Sequence, residues 1–127
     1  MSGLSRIGNA RDLDRMKAEA EKIMAEGQYR QVRYSLFRAM GELAARCYPE
    51  GSRRRDQWRK WFERICAHPT PEEKKLDGPG MASMALHFIG NAETKALLQS
   101  LERNEPEMRG AFNWAIQNID ARLKERR

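Results

Sequence analysis

Apolar residues in this chain recur at intervals of three and four, and no stretch alternates apolar with polar residues as a half-buried strand must. Leu13, Met16, Ala20 and Ile23 form one such stripe, and Tyr29, Val32, Leu36, Met40, Leu43 and Cys47 a second. Trp58, Trp61, Phe62 and Ile65 form a third. Leu97, Leu98 and Leu101 form another, and Met108, Phe112, Ala115, Ile116, Ile119 and Leu123 close the series. A helix turning every 3.6 residues gathers each set on one side. The pattern therefore restricts the chain to helices packed stripe against stripe, an all-α fold.

Local punctuation sets the expected boundaries. Gly27 suits the left-handed position that ends a helix over 12–26. Pro49-Glu50-Gly51 stops a helix over 28–48, and Ser52 caps the next, over 53–67. Thr70-Pro71-Glu72-Glu73 is a capping box with proline at the first helical position and predicts a short helical turn. Asp77-Gly78-Pro79-Gly80 should break it as a flexible loop. Gly90 ends an apolar helix over 81–89, Asn91 caps one over 92–103, and Asn104-Glu105-Pro106-Glu107 opens a last helix to about residue 124. With 127 residues, 40% of them hydrophobic, there is material for one core. The expectation is a single compact bundle of five or six helices over 12–127, with 1–11 as a flexible arm and a mobile loop near 68–80. Met1-Ser2-Gly3-Leu4-Ser5-Arg6 lacks the apolar run of a secretory signal, and no stretch is long and apolar enough to span a bilayer. Cys47 and Cys66 fall on apolar helix positions and read as reduced thiols, so a cytoplasmic location is expected.

The net charge of +6 is unevenly placed. Residues 1–27 hold five Lys/Arg against five Asp/Glu, and residues 65–127 hold nine against nine. The excess lies in residues 28–64, with ten cations against four acids, and nine of the ten are arginine. Arginine binds phosphate through a planar fork of donors and stacks on rings.

Catalytic signatures are missing: no nucleophile is paired with a base, and no glycine-rich loop joins a strand to a helix. The nearest pair of metal-ligand types is Cys66 and His68, which lacks the paired spacing of a zinc site. His87, between Leu86 and Phe88, reads as a helix-packing residue. No enzyme activity, metal or cofactor is expected.

Three features point to binding. Opposite Leu36 on the second helix, the phase places Arg30, Tyr34, Phe37, Arg38 and Gly41. Arginines would neutralise phosphates there, the two rings would stack bases at ~1–3 kcal/mol each, and the glycine would admit a close backbone. The alternative is a central helix buried on both faces. Second, Arg53-Arg54-Arg55 stand in the first turn of the third helix, where cations oppose the helix dipole at ~0.3–1 kcal/mol each. Phosphate binding would account for them, and so would pairing with Glu19 or Glu21 on the first helix. Arg59 and Lys60 continue the basic surface beside Trp58 and Trp61, which lie on the core stripe. Third, Trp114 points away from Phe112 on the last helix, beside Gly110, as a protein-interaction anchor would.

In its length, helical pattern and basic stretches 29–38 and 53–60, the chain resembles the small helical subunits of CRISPR effector complexes. The resemblance implies a nucleic-acid-binding accessory role along a guide-bearing filament, with basic faces holding the displaced or target strand. Arg30, Arg33, Tyr34, Phe37, Arg38, Arg53, Arg54, Arg55, Arg59 and Lys60 would contact nucleic acid, DNA and RNA being equivalent in this respect. Trp114 and Gly110 would meet other protein subunits or a second copy of the chain. The competing reading is a protein-interaction module, an inhibitor or adaptor whose basic face docks an acidic partner. A membrane-surface role is disfavoured, since each basic helix needs its apolar stripe for the core.

Overall fold

The computed structural model describes residues 10–26 and 30–125, and their side chains except those of residues 10, 23–26 and 30–32. The expected arm thus lies outside the described residues, apart from positions 10 and 11, which are already helical. Seven α-helices and one 3-10 turn follow in order, with no strand among the described residues. They are α1 (Ala10–Glu26), α2 (Arg30–Cys47), α3 (Arg53–Ala67), α4 (Pro71–Lys75), α5 (Gly78–Ile89), α6 (Ala92–Asn104), the turn Pro106–Met108, and α7 (Arg109–Glu125). The caps at Ser52, Thr70 and Asn91 form as expected, each side chain accepting from the backbone N–H three residues on.

The expected loop over 77–80 is a correction. Gly78, Pro79 and Gly80 form the buried first turn of α5, where proline needs no partner for its missing N–H. A Cβ on Gly78 would stand 2.8 Å from the Glu73 carbonyl oxygen, so the glycine lets α5 leave directly from α4. Asp77 makes the corner at φ 61°, a left-handed conformation that Asp tolerates better than most residues. The Tyr34 hydroxyl donates a hydrogen bond to its carboxylate, tying α2 to this corner.

The short apolar α5 is the hub. Its buried residues Met81, Ala82, Ala85, Leu86 and Ile89 meet α2, α3 and α7, while α1 packs on α2 and α6 on α7. The α2–α5 crossing is close because Gly41 has no side chain: a Cβ there would lie 2.5 Å from the Ala85 carbonyl oxygen. Phe37, Phe62, Leu36, Met40, Ile65 and Phe112 fill the space around the hub. Burial of this apolar surface drives the assembly, at ~25 cal/mol per Å2.

Arginines and lysines finish the helix ends and joints. Arg55 donates to the carbonyls of Ala45 and Tyr48, closing the C-terminus of α2, and Arg122 donates to those of His87 and Gly90, closing α5. Lys95 joins Asp120 at 2.6 Å between α6 and α7. Arg64 grips Glu73 through two contacts of 2.6 and 3.1 Å, and Glu73 also completes the α4 capping box by accepting from the Thr70 N–H. Burial alone would raise the Glu73 pKa, but the Arg64 and Thr70 hydrogen bonds outweigh it and hold the carboxyl below its ordinary value.

Candidate nucleic-acid interface

Among the described residues, much of the expected basic face on α2 is covered. Phe37 is fully buried, stacked against Trp61 with centroids 6.0 Å apart and edge-on to Phe62. Arg33 is 6% exposed, and Tyr34 is half-buried with its hydroxyl on Asp77. Gly41 does admit a close backbone, but that backbone is α5. Helix α2 is therefore central and buried on both faces, because α5 covers the side opposite α1. Of the cations expected on this face, Arg38 is exposed, and it lies 3.4 Å from Glu42 one turn away. The Arg30 side chain lies outside the described residues.

The α3 arginines divide between structure and surface. Arg55 has its guanidinium on the α2 carbonyls and 3.5 Å from Glu50. Arg59, 6% exposed, pairs with Glu63 at 2.8 Å and Asp56 at 3.6 Å. Glu63 in turn accepts from the buried Thr94 hydroxyl at 2.5 Å, which ties α3 to the start of α6. The Arg55 and Arg59 guanidiniums are thus both engaged by groups of the protein itself. Arg53, Arg54 and Lys60 are exposed, and among the described residues none has an acidic partner within 4.0 Å. Glu19 and Glu21, the alternative partners for this cluster, are exposed on α1 and do not reach it.

Helical phase explains the division. Arg53 and Lys60 stand seven residues apart, two turns, on the outer line of α3, and Arg54 lies on its flank toward α1. Arg55 and Arg59 fall on the opposite flank, where α2 and α6 close over them. The flank toward α1 opens as a groove lined by Asp14, Lys17, Arg54, Gln57, Trp58 and Trp61. Lys17 holds its ammonium over the two indoles, 5.0 Å from the Trp61 ring centroid and 5.8 Å from that of Trp58. At an exposed site such a cation–π contact is worth ~0.5–1 kcal/mol. Trp58 is buried, whereas Trp61 is half-buried at the edge of the core. Both pack on the core as their stripe predicts, Trp61 from its edge: it sits about 100° round from Phe62 and seven residues from Arg54.

A second surface lies on α7. Trp114 is 61% exposed, the one large hydrophobic so placed among the described residues. Its ring stands 6.3 Å from that of His87, which stacks on Phe88 at 4.7 Å. Burial and then the charge of Arg122 keep the His87 pKa below its ordinary value. Gly110, one turn before Trp114, is exposed and a Cβ there would meet nothing.

Among the described residues no three His, Cys, Asp or Glu side chains gather as metal ligands, and no helix is long and apolar enough to cross a membrane. Cys66 is buried, its Sγ 3.5 Å from the Pro79 carbonyl, and burial followed by the nearby Glu63 charge pushes its thiol pKa strongly up. A low-dielectric site of this kind suppresses the reactive thiolate. No protein-family model, no curated protein and no solved structure matches this chain.

Proposed function

We propose that the protein is a non-catalytic accessory subunit that holds a nucleic-acid backbone along the outer edge of α3, without reading its sequence. The observation that carries this reading is the state of Arg53, Arg54 and Lys60: exposed, on the outer line of α3 and its adjoining flank, and without an acidic partner among the described residues. Arg55, Arg59, Arg64 and Arg122 are paired with acids or seated on carbonyls, whereas Arg53, Arg54 and Lys60 gather exposed along one helix. Phosphate oxygens match them in charge and geometry. A place as the small helical subunit of a ribonucleoprotein of the CRISPR effector kind accords with such a surface.

Three phosphate contacts to a single strand give a slope of log K against log salt of about −2. Titrating a labelled single strand across ionic strength with the wild type and with Arg53→Glu/Arg54→Glu/Lys60→Glu tests the reading. The wild type should show that slope, and the triple variant should lose binding at low salt. Absent or salt-insensitive binding by the wild type would overturn it.

Trp114 favours a second reading, a protein-docking role for α7, since an exposed indole beside an open glycine is the composition of an interface anchor. On that reading Trp114→Ala should abolish co-purification of a partner, and the α3 triple variant should slow the association and leave its lifetime unchanged.

A further inference from the structure

We infer that the groove between α1 and α3 takes one unpaired base on Trp61, so that the ligand held by α3 is single-stranded. This rests on the proposed function and names its substrate form. Trp61 is packed on its core side by Phe37, Trp58 and Phe62, which fixes the plane of its indole. A ring already immobilised by the core loses little freedom when a base stacks on it. On the groove side its cover is the Lys17 ammonium, at 5.0 Å, carried on a long flexible side chain. That cover is displaceable, since a stacked base makes a stronger contact than an exposed ammonium does.

Charge and ring are in register. Arg54 lines the same groove, seven residues before Trp61, about 10.5 Å along the helix axis. Arg53 and Lys60 run parallel to them with the same spacing on the outer line. A backbone following Arg53 and Lys60 would thus pass beside the ring, and Lys17, on swinging away, would remain close enough to meet a phosphate. Gln57, between Arg54 and Trp61, offers an amide donor and acceptor to a base edge. A duplex presents its phosphates but keeps its base faces stacked inside, so it could use the cations and not the indole. Of the rings expected to stack, Phe37 is buried in the core and Tyr34 is half-buried with its hydroxyl on Asp77; Trp61 is the ring that lies beside the cations.

The test compares oligothymidylate with its duplex with oligoadenylate at low salt, following both affinity and tryptophan emission. The single strand should bind about ten-fold more tightly, and its binding should quench emission in step with saturation. The quench should persist in Trp114→Phe. In Trp61→Leu, checked for native helical circular dichroism, the preference should vanish while duplex affinity is kept. Equal affinity for the two forms, or binding without a quench, would overturn the inference and leave the proposed function standing. Failure of both forms to bind would overturn the two together. The single-strand preference, together with the quench in Trp114→Phe, decides the matter even if Trp61→Leu does not fold.

Discussion

Gly41 illustrates how one residue constrains the bundle. With hydrogen in place of a side chain, α2 crosses α5 so closely that a Cβ would stand 2.5, 2.7 and 3.0 Å from three backbone atoms of Ala85. Backbone cannot step aside as a flexible side chain can. Alanine would raise helix propensity by ~1 kcal/mol, yet the forced separation of the helices works against it. Gly41→Ala should therefore destabilise the protein by about 2 kcal/mol net, read as a lower urea midpoint. An unchanged midpoint would mean that the crossing is looser than these distances. The same scale shows what was hidden in the sequence. Phe37 has no mark that separates a stacking ring from a core ring, because its cover comes from Trp61 and Phe62 on α3, more than twenty residues later. Arg55 likewise looks like its neighbours Arg53 and Arg54. Only the angle between α2 and α3 aims it at the carbonyls of Ala45 and Tyr48.

At the scale of the element, α3 carries two demands on one first turn. Ser52 caps it well, accepting from the Arg55 N–H at 3.3 Å, but Arg53 and Arg54 then place cations on the positive end of the helix dipole. A helix selected only for stability would carry acids there, as α4 does with Glu72 and Glu73. Arg53→Glu/Arg54→Glu should accordingly stabilise the fold by about 1 kcal/mol, raising Tm by roughly 3–5 °C, while nucleic-acid affinity falls. Calorimetry and the binding titration on the same sample would show opposite signs. A fall in Tm would mean that these arginines support the fold. Element boundaries were legible where a side chain caps its own helix, at Ser52, Thr70 and Asn91, since those bonds span three residues. They were misread at Gly78-Pro79-Gly80. Glycine and proline there look like a breaker, yet they serve close packing against Glu73 and a proline-tolerant first turn.

For the whole molecule, the all-α class followed from periodicity, which survives any arrangement of helices. The arrangement itself did not, because the stripe on each helix says that a partner exists and not which one. The two thiols offer a measure of the intact assembly. Cys47 is half-exposed at the end of α2, and Cys66 is buried against α5 with its pKa driven up. An alkylating reagent should modify Cys47 in the native protein and reach Cys66 only as the bundle opens. Mass spectrometry should find single modification first, with the second following the rate of global unfolding. Rapid double labelling under native conditions would contradict the burial.

The position of the hub in the chain has a consequence for how the protein is made. Helix α5 begins at Gly78, after α1, α2 and α3 have been synthesised, yet it covers the second face of α2 and the inner face of α3. Until residue 89 has left the ribosome, Phe37, Met40 and Phe62 have no hub to pack on, and the nascent chain carries them unprotected. Assembly must then proceed nearly at once, when one twelve-residue helix arrives and supplies a common surface to its neighbours. A chain interrupted before that point would be a substrate for chaperones and proteases, whereas one interrupted after it would already possess the centre of the fold.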